Sequence, residues 1–588
     1  MSKIIYVCVR DSYQSRQVAN AVSAIADRLL PDNIPRRPSR TLQARGIFVG
    51  ISNPNDLIAT RGTSVAAGYL VDPSEWEKPG TGRPDGAYAL FRSDAAVVEI
   101  VSDTLASRTV WYAKTNEIFV ASTSQRAIVA LLGSFQLNDA VVPWMLTSGT
   151  LGPGLSWDKR IRHVAGATTI TLDRFAWTID EHTEPTQFVN RPVSEEEHQS
   201  LLARGLTHAV GAARVADPKW AITLSGGVDC RAILCLLKER KGLRAVTWGL
   251  RDSMSEPTND AQIALRLARH FGLEHRYFET DLTDEPVDRV FDRFIANGEG
   301  RVDHISGYAD GFRLWGQLVD AGIRGIVRGD QAFGAKPVRT SRDARVRAGL
   351  MLWEDFGTLP PLEQFGLPTP ALPEAFQQGV RESLETWRDR LFQQFRVPFV
   401  HGALSDIKLP YVEIISPLLS DSLVHMIRQL PDPLRTGKAL LKRITIAMSP
   451  DIPFATDVAI QPLGDILQSP RVAELLQDTL SGPGAVSVLP TEFAAYVVEG
   501  IVHTHARRGG DGLRRIRRFA KASAPTWIKQ LRPRPAPTPS LDRNQLAFRA
   551  FLISAAIRLF KDDATALKGV AATSERDAGP NARGGGIA

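Results

Sequence analysis

The segment of this chain best suited to chemistry is Ser225-Gly226-Gly227-Val228-Asp229, which lies between an apolar run and a helix-like stretch. Two adjacent glycines let the main chain approach an anion closely. A helix starting directly afterwards offers free amides and the positive end of its dipole, and Ser225 adds a hydroxyl. These features suit phosphate. No lysine follows the glycines, so the loop is not built to grip a nucleotide for γ-phosphoryl transfer. An aspartate inside an anion site repels its ligand unless a cation stands between them, so Asp229 implies Mg2+ bridging carboxylate and pyrophosphate. The plain alternative is a strand-to-helix turn that Asp229 merely caps.

The elements that must position this loop follow a βα rhythm. Trp220-Ala221-Ile222-Thr223-Leu224 reads as a buried strand and Arg231 to Lys241 as a helix. Ala245 to Leu250 reads as a second strand, Asn259 to Gly272 as a second helix, and Gly325-Ile326-Val327 as a further strand. Such alternation predicts βαβ crossovers and a parallel sheet. Leu224 and Trp248 stand at the C-terminal ends of neighbouring strands, where ligands in open α/β sheets sit. Upstream, Ile4 to Val9, Ile47 to Ile51, Gly86 to Phe91, Ala96 to Val101, Thr109 to Tyr112, Glu117 to Ala121 and Thr168 to Leu172 are short apolar runs parted by turn residues, the pattern of a β-rich domain. Ser194 followed by three glutamates opens an amphipathic helix running towards Ala212. Beyond about residue 345 the pattern is mostly helical, with Pro-rich breaks at Leu359 to Leu367 and Pro431 to Pro433.

Composition bounds the rest. The 588 residues are 43% hydrophobic and 23% charged, which excludes global disorder, collagen and coiled coil and leaves room for two or three domains. Three cysteines, Cys8, Cys230 and Cys235, are too few for a disulfide framework or a four-ligand zinc site and point to a reducing, cytoplasmic setting. Charged residues interrupt every hydrophobic segment short of the roughly 18 to 20 residues that a membrane span needs. The net charge of +7 is spread along the chain except for a basic patch over 507–521, read as a solvated helical face. No nucleic-acid module is recognisable. Arg532 to Pro539 reads as a linker, and the Gly-rich tail from about Ala571 as disordered.

The glycine loop resembles that of the pyrophosphate-loop ATP pyrophosphatases, and within them the asparagine synthetase superfamily, whose Ser-Gly-Gly-x-Asp-Ser is met here with Cys230 in the last place. Arg328-Gly329-Asp330-Gln331-Ala332-Phe333-Gly334-Ala335 resembles the superfamily's second loop, with Asp330 on its second magnesium aspartate and Gln331 replacing an acidic neighbour. Glu413-Ile414-Ile415-Ser416-Pro417-Leu418-Leu419, Leu430-Pro431 and Gly437-Lys438-Ala439-Leu440-Leu441-Lys442 look like a third succession of its motifs. Ser420 or Asp421 then stands at an expected aspartate. Lys438 falls on the lysine that offsets charge developing on the α-phosphate during adenylation. The resemblance thus implies ATP and Mg2+ as cofactors, with Asp229 and Asp330 as metal ligands. Leu224, Ser225, Gly226, Gly227, Asp229, Cys230, Trp248 and Gly329 would line the nucleotide, and Lys438, Asp229 and Asp330 would be catalytic.

The front half is similar to the glutaminase domain of asparagine synthetases, an N-terminal-nucleophile fold, at Asp85 to Leu90, Ala121 to Ser124 and Gly166-Ala167. That glutaminase uses a cysteine at position 2. Here position 2 is Ser2 and Cys8 lies within a strand, so the expectation is an inactive glutaminase-like domain over 1–190. It would precede a doubly wound α/β ATP-binding domain with extra helices over 191–530, and then a linker, a C-terminal helix and a tail over 531–588. A vestigial front domain, a degenerate second loop and an extended helical C-terminal part together resemble the lasso peptide cyclases. The resemblance implies a cytoplasmic, AMP-forming ligase of antibiotic biosynthesis that joins the N-terminal amine of a ribosomally made core peptide to an Asp or Glu side chain. A leader peptidase and a leader-recognition protein would be its partners. The alternatives are an ammonia-dependent asparagine synthetase, a β-lactam-synthetase-type cyclase or a catalytically dead peptide-binding scaffold.

Overall fold

The computed structural model describes residues 3–10, 15–54, 58–334, 336–482, 488–504 and 539–567. Ser2, the basic patch at 507–521, nearly all of the linker from Arg532 and the tail from Ala571 lie outside the described residues.

The first 183 residues form two six-stranded antiparallel sheets. One runs Arg162–His163, Trp111–Lys114, Ile118–Ser122, Ile4–Val9, Ile47–Ile51, Arg40–Ala44. The other runs Thr178–Thr183, Thr168–Asp173, Val97–Ser102, Gly86–Ser93, Ser64–Leu70, Ala59–Arg61. Side chains alternate across a pleat, so Ile4, Tyr6 and Cys8 share one core with Phe91, Ile100 and Leu172 of the facing sheet. Ile5, Val7 and Val9 point the other way, into a core with Val18, Val22 and Ile128 from helices Ser15–Arg28 and Gln125–Leu132.

Helix Glu195–Ala212 begins where Ser194 predicts, with the Ser194 hydroxyl accepting from the Glu197 amide at 3.2 Å. A five-stranded parallel sheet follows in the order His275–Glu279, Arg244–Gly249, Trp220–Thr223, Gly325–Val327, Glu413–Ile415. In chain order this is 3-2-1-4-5, and the order reverses between Trp220–Thr223 and Gly325–Val327. Ligands in open α/β sheets sit outside the carboxyl ends of strands at such a reversal.

One helix boundary needs correction, and two further features were not expected. The helix after the glycine loop is Val228–Leu236 and stops short of Lys241, because Arg240 folds back to donate to the Leu234 carbonyl at 2.8 Å and Gly242 takes φ +81°. His275–Glu279 is an edge strand with only Phe278 fully buried, so it lacks the apolar run that marks a central strand. Leu384–Leu391 continues into a π-helical stretch, Phe392–His401, around Pro398, which has no amide to donate.

Helix Arg543–Thr565 is buried along most of its length and threads between the halves. It packs on Gln125–Leu132 and Val141–Ser148 from the front and on Val287–Gly298 from the back. Phe548 and Phe551 join Phe291 in an aromatic cluster, and Asp563 pairs with Arg126 at 2.7 Å. A second seam joins the sheets' ends, where Asp421 accepts from the Thr104 amide at 3.0 Å and meets Arg83 at 3.5 Å. Among the described residues no helix is long and apolar enough to cross a membrane.

Phe548→Ala should cost about 3 to 5 kcal/mol of unfolding free energy, as for other buried phenylalanines, measured by urea titration. Burial, with Asp103 adding and Arg83 opposing, pushes the Asp421 carboxyl up to about 7. A raised folded-state value means that stability is fullest below the unfolded value near 4 and is lost as pH rises towards 7. Asp421→Asn should therefore gain on the wild type by more than about 1 kcal/mol between pH 4 and pH 8, and a pH-independent difference would refute the buried carboxyl.

Candidate active site

The two loops expected to form the site meet at the reversal point. Gly227 N-caps helix Val228–Leu236 without a side-chain hydrogen bond, so first-turn amides remain for an anion. Asp229 sits inside that first helical turn, one step past the tight bend expected for it. The three preceding residues divide their work. Ser225 Oγ accepts from the Gly227 amide at 3.2 Å and lies 3.2 Å from Cys230 Sγ, which in turn accepts from the Ser225 amide at 3.3 Å. The Cys230 thiol thus staples the loop to its helix. The Gly226 amide donates to Asp260 Oδ1 at 2.9 Å, and a Cβ on Gly226 would stand 2.3 Å from that of Ala455. Gly226 is therefore needed for packing, while Gly227 faces open space apart from Ser225 Oγ.

Asp229 and Asp330 face the same cavity, of about 270 Å3, but differ in partners. Asp229 Oδ2 accepts from Lys438 Nζ at 2.5 Å, and its Oδ1 is buried with no partner. Burial raises the Asp229 carboxyl above the usual range; Lys438 opposes this and Asp330 adds to it. Both oxygens of Asp330 accept from Arg328, at 3.0 and 3.2 Å, and Ser416 Oγ adds a contact at 3.2 Å. Burial would raise Asp330, but Arg328, with His401 behind it, holds it at about 2. The orphaned Asp229 oxygen fits a divalent cation. Among the described residues no three His, Cys, Asp or Glu side chains gather to hold a metal, so phosphate oxygens would have to complete the shell.

Lys438 reaches Asp229 through an unusual backbone. Gly437 and Lys438 are both left-handed, at φ +67° and +57°, immediately before helix Ala439–Met448. A lysine in that region is strained, and the strain aims its ammonium across the cavity mouth. Lys442, one turn on, is exposed.

The other end of the cavity is apolar. Leu224, Trp248, Val458, Ala459 and Ile460 line it, and Trp248 is held edge-on by Trp315 at 5.6 Å. Residues 449–460 escaped the sequence reading. They are laced across the site by main-chain bonds from Leu250 to Ala459 (2.8 Å) and from Ala455 to Gly226 (3.1 Å). Arg231, buried on the loop's own helix, donates to the carbonyls of Ile452 and Pro453 at 2.6 and 2.8 Å and stacks on Phe454. The signals available were a buried-type helix interrupted by arginine and the Asp-Ile-Pro-Phe stretch after a helix end.

No curated protein matches the chain. Among solved structures it is similar to the allosteric regulatory enzyme of purine biosynthesis, at 10% identity over 57% of this chain and 82% of that one, with a TM-score of 0.20. A second is glutamine phosphoribosylpyrophosphate amidotransferase from B. subtilis complexed with ADP and GMP, at 8% identity over 57% and 83%, also with a TM-score of 0.20. Scores this low define no common fold. Residues 201–298 match the asparagine synthase family, and that span holds the glycine loop, Asp229, Trp248 and Asp260, which supports an ATP-dependent amide ligase of the asparagine synthetase superfamily.

Proposed function

We propose that the protein is an ATP-dependent macrolactam synthetase of the lasso peptide cyclase type. The observation that carries the ligase reading is the Lys438–Asp229 pair at the mouth of an uncapped helix N-terminus. Lys438 holds a cation where charge would grow as an acceptor carboxylate attacks the α-phosphate and the bond to pyrophosphate breaks. An amine then displaces AMP from the acyl group, loses its proton and closes the amide. Magnesium, held by Asp229 and the phosphates, would supply the bridging charge.

A peptide acceptor is favoured by a second cavity, about 320 Å3, between the front sheets and the π-helical stretch. Leu105, Pro153, Ala165, Phe376, Pro398 and Phe399 make it apolar. It shares Pro185, Thr186 and Gln394 with a wider groove of about 860 Å3 along Pro185 to Asn190. Among the described residues nothing pairs with the main-chain amides of Thr186 to Asn190, so an extended peptide could add there as a strand. Ammonia needs no such groove.

Incubation with ATP, Mg2+ and candidate core peptides should give a product lighter by one water, with AMP and pyrophosphate in equal amounts; stoichiometric ADP would sink the pyrophosphate-loop reading. Added glutamine should release no glutamate, because Cys8 lies within a strand at 0% exposure and offers no accessible thiol. Lys438→Ala should lower kcat by roughly a hundredfold to a thousandfold with little change in KM for ATP. Lys438→Arg should rescue poorly, since a planar fork does not replace a point charge. Lys442→Ala is the control, and inactivity of that variant alone would move the catalytic role one helical turn.

A further inference from the structure

Arg328 lies two residues before Asp330, the aspartate that the resemblance makes a second metal ligand. Its Nε and Nη2 donate to the two oxygens of Asp330 at 3.0 and 3.2 Å, and Ser416 Oγ adds 3.2 Å to one of them. The guanidinium itself lines the nucleotide cavity. A two-point ion pair of this kind is among the stronger polar contacts in a protein, and it cannot be dissolved by deprotonating the arginine. A metal ion settling on Asp330 would have to evict Arg328 and leave a guanidinium stranded in a poorly hydrated place. Asp229 is the opposite case, with one oxygen on Lys438 and the other buried and unpartnered. The two loops have no room to close further and share a metal more evenly. Gly329 already lies so close that a Cβ there would stand 2.8 Å from the Cys230 nitrogen.

We infer that Arg328 is a built-in substitute for metal charge at Asp330, so that the nucleotide site takes a single divalent cation, through Asp229, and the Arg328–Asp330 pair serves as a fixed wall beside it. This rests on the reading that the cavity binds ATP, because one protein carboxylate holds a divalent cation well only when phosphate oxygens complete its shell. The remaining N–H groups of Arg328 are then available to the charge that develops on the adenylate, which a metal bound at Asp330 would otherwise meet.

The test uses Mn2+ as the probe, with the full chain and an ATP analogue carrying a non-hydrolysable α,β-bridge. Free Mn2+ is followed by electron paramagnetic resonance, and nucleotide binding by displacement of a fluorescent ATP analogue in the same samples. One Mn2+ per nucleotide-bound chain is expected. Asp229→Asn should weaken Mn2+ by at least about tenfold and Asp330→Asn by less than about threefold, whereas Arg328→Ala should free Asp330 and tighten Mn2+ by about tenfold or add a second ion. Two ions in the native chain would overturn the inference, as would equal losses in the two aspartate variants or Mn2+ binding indifferent to Arg328→Ala. The native stoichiometry needs no variant, so the inference stays falsifiable even if Arg328→Ala fails to fold. A chain that binds no nucleotide would overturn the ATP reading itself, whereas a chain that binds nucleotide with two Mn2+ ions would overturn only the role of Arg328.

Discussion

The contact on which the site depends is main chain against main chain. Gly329 lies against the Asp229–Cys230 peptide at a distance that excludes even a methyl group. The contact exists because Trp220–Thr223 and Gly325–Val327 are hydrogen-bonded neighbours in the sheet though about a hundred residues apart in sequence. The strand order reverses between them, so the two loops after these strands border a crevice open to a ligand. Asp229, Arg328 and Asp330 are thereby held against one cavity without any side chain having to reach.

Placing so much charge in a partly buried cleft is costly, and the chain offsets the cost pairwise. Asp330 is neutralised by Arg328 within its own loop, and Asp229 by Lys438 from the turn before helix Ala439–Met448, about two hundred residues away. The second pairing needs a left-handed lysine, a conformation that costs on the order of 1 to 3 kcal/mol. Moving Lys438 into the helix would relieve that strain but carry its ammonium off the cavity mouth. The strain is held in place by Gly437, which turns the chain in the same sense, and by Leu440 and Leu441, whose burial anchors the helix. Arg231 does comparable work on the apolar side, where it ties the loop's helix to residues 449–454.

The parts of this arrangement that were legible in the sequence are those that local rules specify. Adjacent glycines between an apolar strand and a helix announce a phosphate loop, Ser194 announces a helix start, and short apolar runs parted by turn residues announce the front sheets. Strand His275–Glu279 was illegible because an edge strand needs no apolar run. Arg328 is legible as part of the second loop, but its grip on Asp330 shows only in the folded structure. Residues 458–460 were invisible for a related reason. They line the cavity through main-chain pairing with Leu250, and pairing partners distant in sequence leave no periodic trace. Asp260 reads as part of the helix from Asn259, and only the tertiary structure shows its carboxylate taking the Gly226 amide.

The front domain has a structural role at the back sheet whatever its own chemistry. Its Thr104 to Arg108 segment bonds the ends of the back sheet: Arg108 donates to the Ile414 carbonyl at 2.8 Å and pairs with Glu413, and the Thr104 amide donates to Asp421. The same segment, with the π-helical stretch Phe392–His401, walls two spaces at once. Leu105, Pro398 and Phe399 face the apolar cavity, while Ser107, Val397 and His401 face a small chamber that ends on Asp330. A regular α-helix would present residues 397 to 401 with a narrower turn; the widened π-turn around Pro398 sends neighbouring residues to different spaces. Removing the front sheets would thus open one side of the groove and strip Glu413 and Asp421 of their partners, so the site's outer wall and the sheet's stability are carried by the same few residues.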